Sequence, residues 1–150
     1  MAMMNRILLL VMTVMVVFLT GCASVPMASV ERDNEAKTFA VKADKSNIYI
    51  YRNESFGAAV KMEVLLDGNL IGQTAAQTYF RLEVPPGQHT LISKAENDDV
   101  LNLNTEAGKN YFVWQEVKMG LLYARTMLHL SDEVSGKTAV SDCKLVENLP

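Results

Sequence analysis

The sequence predicts a mainly β protein: a single antiparallel β-sandwich of about eight short strands, with a short C-terminal helical segment. Short runs of alternating apolar and polar residues recur roughly every 8–12 residues after Ser46. Clusters of Gly, Pro, Asn and Asp separate these runs and indicate turns. About 45% of the residues after position 21 are hydrophobic, an ordinary share for a folded domain.

Residues 1–21 differ from the rest of the chain and are predicted to be a cleaved signal peptide. They contain 16 hydrophobic residues and one charged side chain, Arg6. As a helix, the run Ile7–Leu19 would span roughly 20 Å, less than the roughly 30 Å of a bilayer's hydrocarbon core. Its length suits the apolar region of a secretory signal. We therefore expect export and no permanent membrane span.

Residues 22–45 are predicted to be a flexible spacer. The segment shows no sustained period of 2 or 3.6 residues, and it contains Pro26 and the charged cluster 31–35. A short helix within Val30–Ala40 is an alternative, although that stretch lacks a strong apolar face.

Residues 46–150 are predicted to form the folded domain. Asp67-Gly68 is a strong hairpin signal, because both residue types tolerate the left-handed backbone of a tight turn. Pro85-Pro86-Gly87 predicts the next turn. The predicted strands are Ser46–Asn53, Ala59–Leu66, Asn69–Gln73, Tyr79–Val84, Gln88–Glu96, Val100–Thr105, Tyr111–Lys118 and Leu121–Leu130.

The C-terminal tail has a different pattern. Ser131 is expected to cap a short helix that starts at Asp132-Glu133, and Gly136 is expected to break or end it. The following stretch, Lys137–Leu145, fits either a second helical turn or an edge strand.

The end of the apolar run carries the most specific motif in the chain. Leu19-Thr20-Gly21-Cys22 resembles the lipobox of bacterial lipoproteins. The resemblance implies that a peptidase recognises Leu19, Thr20 and Gly21 and cuts before Cys22. It also implies a diacylglyceryl group on the Cys22 thiol and an acyl group, such as palmitate, on its new amine. Two or more acyl chains hold a protein stably at a membrane.

The residue after the cysteine bears on location. By analogy with enteric-type bacteria, where Asp at this position is associated with retention in the inner membrane, Ala23 implies the outer membrane with the body facing the periplasm.

The domain itself resembles a family of short bacterial lipoproteins that carry a domain of unknown function. The resemblance covers about Ile48–Leu145 and includes IYIYRNESFGAAVKMEVLLDGNLIG, YFRLEVPPGQHTLISKAEN, AGKNYFVWQEVKMG and the tail Asp142-Cys143-Lys144. More loosely, LDGNLIGQT and FRLEVPPGQHTL are similar to PEGA modules, which are small β-sandwiches of bacterial surface proteins. These motifs build turns, so the resemblance implies architecture rather than an activity.

The residues that could carry chemistry are few and scattered. His89 and His129 have no nearby partner at metal-ligand spacing, so we predict no metal site and assign both to strand-face or capping roles. The turn Asn97-Asp98-Asp99 leaves a weak cation site as an alternative to a solvated turn. No phosphate-binding glycine motif is present. We predict no enzyme activity, and no cofactor other than the acyl groups on Cys22.

The second cysteine, Cys143, is predicted to be a small buried residue. We expect no disulfide, because pairing with Cys22 would compete with lipidation. A redox-reactive thiol is the alternative.

The sequence predicts a binding or structural role. Tyr49 and Tyr51 alternate with apolar residues and could share an outward face that binds a protein or glycan. The expected partners are the membrane, through the lipid anchor, and an envelope protein or the cell wall. Nucleic acid is excluded, because the acidic groups outnumber the basic ones, 17 to 14. The alternative is an envelope enzyme or inhibitor acting on peptidoglycan or its hydrolases, built around His129, Arg125 and a carboxylate.

Overall fold

The computed structural model describes residues 24–149 as a mainly β body of nine strands and two short helices, in agreement with the predicted class. The whole predicted signal peptide, residues 1–21, lies outside the described part. In chain order the elements are α1 (Val30–Ala36), β1 (Ser46–Arg52), β2 (Met62–Leu66), β3 (Asn69–Thr74), β4 (Thr78–Val84), β5 (Gly87–Lys94), β6 (Asp98–Thr105), β7 (Asn110–Met119), β8 (Ala124–Ser131), α2 (Glu133–Asp142) and β9 (Lys144–Leu145).

The strands form two sheets. The order of the five-stranded sheet is β8-β7-β1-β4-β9, and that of the four-stranded sheet is β3-β2-β5-β6. Most neighbours are antiparallel, but β1 pairs with β7 and β4 pairs with β9 in parallel. The predicted antiparallel sandwich does not account for these two parallel pairs. Parallel neighbours need a long connection, and between β1 and β7 the chain passes twice through the other sheet.

The main apolar core lies between the two sheets, which gives a sandwich-like arrangement. Alternate residues of each strand point into it, as the period of 2 requires. The five-stranded sheet contributes side chains such as Ile50, Phe80 and Val113, and the four-stranded sheet contributes Val64 and Leu91.

A second apolar cluster lies on the other face of the five-stranded sheet. Tyr49, Tyr79 and Phe112 pack there beneath Ala36 of α1 and Val140 of α2. The rings of Tyr49 and Phe112 stack with their centroids 5.1 Å apart. The body therefore has three layers: one sheet, a second sheet and the two helices.

The segment before β1 lies against this body, which corrects the predicted flexible spacer for residues 24–45. Val25 is buried, and Met27 forms an antiparallel bridge with Val146. Ser29 caps α1, its side chain accepting a hydrogen bond from the Arg32 amide. The Tyr49 hydroxyl donates to the Ala36 carbonyl at 2.9 Å. The segment is ordered because it packs on the aromatic face of the sheet. The contact that stabilises α1 is narrow, which is why its sequence shows no strong apolar face.

The C-terminal helix differs from its prediction in two details. Asp132, rather than Ser131, is the N-cap, and its side chain accepts from the Ser135 amide at 2.9 Å. Gly136 lies inside α2 and does not end it. A Cβ there would be 2.2 Å from Cγ of Phe112, so the glycine lets the helix lie directly on the sheet. Within residues 24–149, no helix has the length and apolar character needed to cross a bilayer.

Candidate functional site

The most exposed apolar surface in the described part of the chain surrounds the turn between β7 and β8. Met119, Leu121 and Leu122 are 81%, 88% and 93% exposed, and Tyr123 and Phe56 beside them are about half exposed. We call these five residues the apolar tip. Single exposed apolar residues are ordinary, but a contiguous group marks a surface for interaction.

A single carboxylate holds the backbone of the tip in place. Oε1 of Glu96 accepts from the Leu121 amide at 3.1 Å, and Oε2 accepts from the amides of Leu122 and Tyr123 at 2.9 and 2.8 Å. These hydrogen bonds lower the pKa of Glu96. The turn is therefore preorganised, with its side chains directed outward.

A shallow apolar depression of about 280 Å³ lies beside the tip. Its walls include Val60 and Val117 as well as tip residues. Gly57 brings the β1–β2 loop close to β7, because its φ is 70° and a Cβ there would be 2.9 Å from Cγ1 of Val117.

The interior beneath the tip is polar and contains the buried side chain of Arg52. Its guanidinium donates to the carbonyls of Val60 at 2.9 Å, Gly57 at 3.3 Å and Thr74 at 3.4 Å. Burial lowers the pKa of Arg52, and the nearby charge of Glu54 acts in the opposite direction. Arg52 thus connects two parts of the chain: the loop that contains Phe56 and the end of β3.

Hydrogen-bonded side chains join the two sheets next to Arg52. Thr74 Oγ1 donates to Gln115 Oε1, and Gln115 Nε2 donates to Ser93 Oγ, both at 2.6 Å. Ser93 Oγ lies 2.6 Å from Thr126 Oγ1. A fully connected polar group of this kind rigidifies the base of the tip.

Cationic side chains flank the tip. Lys118 and Arg125 face each other across β7 and β8, directly behind the turn. The sequence from Val117 to Ser131 contains both and no acidic residue. Each cation has a carboxylate nearby: Lys118 pairs with Glu116 at 3.2 Å, and the charge of Arg125 acts on Glu96. The surface therefore runs from apolar at the turn to charged, with both signs present, behind it.

The predicted binding face at Tyr49 and Tyr51 is wrong, because both side chains are buried. They do share one face of β1, but the helices cover that face. Burial raises the pKa of Tyr49 to about 12. The Tyr51 hydroxyl lies 2.8 Å from Ser131 Oγ.

The two histidines lie in separate places. His89 is buried in β5, with Nδ1 2.7 Å from Asp67 Oδ2 and Nε2 2.8 Å from the Pro85 carbonyl oxygen. His129 stacks on Trp114 and places Nε2 2.7 Å from Glu116 Oε2.

Arg125 does not complete a constellation with His129 and Glu116. It faces Lys118 across the strands, and its charge acts on Glu96 at the tip. The arrangement expected for an enzyme is thus only partly assembled.

The acidic turn makes structural contacts. Asn97 Oδ1 accepts from the Thr126 amide at 2.9 Å, and Asp99 Oδ2 accepts from the Leu128 amide at 2.7 Å. Over residues 24–149, no three His, Cys, Asp or Glu side chains group in a way that could hold a metal ion.

Cys143 is buried in the second apolar cluster, where its thiol donates to the Arg52 carbonyl at 3.4 Å. Burial raises the pKa of Cys143 to about 12. The other predicted site residues, Leu19, Thr20, Gly21 and Cys22, lie outside the described residues.

The sequence pattern does not reveal the apolar tip, because it predicts one strand over Leu121–Leu130. In the structure β8 begins at Ala124, and residues 121–123 bend. A usable signal was present: Gly120 is followed by three large apolar residues in a row, which interrupts the alternation of a half-buried strand.

Comparison with known proteins gives two matches. A family model described as "Protein of unknown function (DUF2846)" matches residues 42–126, a region that includes the tip. A protein of Haemophilus influenzae described as an uncharacterized protein is 40% identical over 126 residues, which cover 82% of this chain and 74% of that protein. No solved structure matches the chain.

Proposed function

The chain belongs to the family described as protein of unknown function DUF2846, and from that premise we propose that it is a lipid-anchored lipoprotein of the bacterial cell envelope. In this proposal, acyl groups on Cys22 hold it at the outer membrane with the body facing the periplasm. Its role is that of a non-catalytic binding or structural module.

The N-terminal sequence supports the anchor. Arg6, the apolar run Ile7–Leu19 and the motif Leu19-Thr20-Gly21-Cys22 occur in the order that export and lipidation require. Lipidation would place one of the chain's two cysteines at the membrane and leave Cys143 in the body.

The observation that carries the binding role is the apolar tip. Glu96 fixes the backbone of the turn, and Leu121 and Leu122 remain almost fully exposed. Ordering a turn so that it presents large apolar side chains to water favours contact with another surface.

We further propose that the two facing sheets form one β-sandwich related to PEGA modules. Asp67 and Gly68 have positive φ angles of 51° and 84° in the β2–β3 turn, and Gly87 has a φ of 140° after Pro85-Pro86. These residues build the turns on which the resemblance rests.

Metabolic labelling with an alkyne fatty acid tests the anchor. We expect label on the parent protein and on Cys143→Ala, and none on Cys22→Ala. The two cysteines form a matched pair, because each substitution removes one thiol. Label that remains on Cys22→Ala, or a mature protein whose intact mass shows a different first residue, contradicts the proposal.

Chemical cross-linking of the lipidated protein in living cells tests the binding role. A reproducible envelope neighbour supports it. A set of cross-linked proteins identical to that of an unrelated lipoprotein of equal abundance contradicts it.

A further inference from the structure

We propose that the apolar tip inserts shallowly into the surface of the bilayer that carries the anchor, so that two separate points hold the body against the membrane. This inference rests on the proposed lipidation of Cys22, and it assigns the occupant of the tip: the lipid surface that carries the anchor.

The order of side chains along the tip matches the depth profile of a membrane interface. Met119, Leu121 and Leu122 project at the turn. Lys118, which pairs with Glu116, and Arg125, whose charge acts on Glu96, lie behind them, where the polar headgroups would be. A convex turn with an apolar end and a charged base complements the layered polarity of a bilayer surface.

The backbone of the tip is already suited to a medium of low polarity. An amide without a hydrogen-bond acceptor is costly in lipid. Glu96 satisfies the amides of Leu121, Leu122 and Tyr123 from within the protein. Because the Glu96 carboxylate is itself exposed and charged, the insertion stops near the headgroups.

The start of the described chain keeps the body close to the bilayer. Val25 is buried and Met27 bridges to Val146, so only two residues, Ala23 and Ser24, separate Cys22 from the body. The three Cα-to-Cα steps from Cys22 to Val25 span about 11 Å at most. The body therefore lies at the membrane surface, where the tip meets lipid at a high effective concentration.

The two contacts lie at opposite corners of the five-stranded sheet. The chain enters beside β9, whereas the tip joins β7 to β8 at the other edge. β7 is also longer than its neighbour β1: its pairing with β1 ends at Trp114, opposite Tyr51, and the strand continues to Met119. The tip therefore projects beyond the end of β1. With both corners on the bilayer, the long dimension of the sheet lies along the membrane.

Fluorescence quenching by brominated lipids tests the insertion. The lipidated full-length variants Leu122→Trp and Val134→Trp are reconstituted in vesicles of phosphatidylethanolamine and phosphatidylglycerol in equal parts. Val134 is the matched control, because it is a similarly exposed apolar residue on α2. We expect brominated acyl chains to quench roughly half of the fluorescence added at position 122, because an interfacial side chain reaches the acyl boundary. Little quenching is expected at position 134.

A photo-cross-linker in place of Leu122 identifies the occupant in cells. Adducts with lipid at position 122, and not at 134, support the inference. An adduct with a protein, or equal quenching at the two positions, overturns it. Fatty-acid labelling of the same preparations separates the two proposals: a labelled protein with an unquenched tip refutes insertion alone, and an unlabelled protein refutes the anchor.

Discussion

Arg52 occupies a core position that the strand pattern assigns to an apolar side chain. On β1 it follows Ile48 and Ile50 on the inner face, yet it is fully buried and donates to three backbone carbonyls. Among the ion pairs of residues 24–149, none includes Arg52, so backbone carbonyls are its direct partners and the nearby charge of Glu54 adds to their effect.

We therefore expect Arg52→Met to lower the free energy of unfolding by about 3 kcal/mol, because the carbonyls lose buried donors. Urea unfolding measures the change. The control Arg125→Met removes an exposed arginine and is expected to change stability by less than about 0.5 kcal/mol. Equal stability of Arg52→Met and the parent would show that the carbonyls do not need the guanidinium.

His89 lies between two acceptors, the carboxylate of Asp67 and the carbonyl of Pro85. Only the protonated ring donates to both. Burial works against the charged ring, but hydrogen bonds to Asp67 and Pro85 outweigh it and raise the pKa of His89. The stabilisation is therefore complete below the ordinary His pKa of about 6.5, and it is lost as the pH rises through the raised value.

The urea midpoint of the parent is expected to fall between about pH 6 and pH 9, as His89 loses its proton. We expect this fall to be smaller in His89→Gln. His129→Gln is the matched control, because it removes the other histidine and leaves the pair of His89 with Asp67 intact. Parallel pH profiles for the parent and His89→Gln would contradict this role of His89.

At the scale of elements, α2 packs on the sheet through Gly136. An exposed helical glycine usually gains roughly 0.5–1 kcal/mol on replacement by Ala. Here the added Cβ would meet Phe112, so we expect Gly136→Ala to lose about 1–3 kcal/mol instead. Thermal unfolding measures the sign, and Thr138→Ala, at an exposed position of the same helix, is expected to be neutral or slightly stabilising. A stabilised Gly136→Ala would mean that α2 shifts freely on the sheet.

Elements specified by local chemistry could be predicted from the sequence. The turn at Asp67-Gly68 forms with positive φ at both residues, as its composition predicts. The parallel pair of β1 with β7 could not be predicted, because pairing between distant segments leaves no local pattern. The ordered structure of residues 24–45 could not be predicted for a similar reason. It comes from contact with the sheet and not from helix propensity.

The candidate site was predictable only in part. Alternation correctly places Tyr49 and Tyr51 on the same face of β1, but it does not show that helices cover that face. The tip was missed because a run of apolar residues after Gly120 fits a buried strand as well as an exposed turn.

At the scale of the whole molecule, the N-terminal segment and the C-terminal tail close the same face together. Asp33 of α1 accepts from the Tyr79 hydroxyl at 2.9 Å and from the Leu145 amide at 3.0 Å. Lys37 donates to the Cys143 carbonyl at 2.7 Å. A reagent can reach Cys143 only when this layer opens. The rate at which the thiol reacts therefore measures how often the two terminal segments separate from the sheet.

We expect alkylation of Cys143 at pH 8 to be at least about a thousandfold slower in the native lipidated protein than in urea. Burial and a pKa of about 12 leave almost no thiolate. Ser141→Cys, at an exposed position of α2, is expected to react rapidly in the native state. Asp33→Ala, which loosens the layer without touching the thiol, is expected to speed the reaction of Cys143. Rapid labelling of native Cys143 would show that the layer opens readily, and it would favour the redox role left open by the sequence.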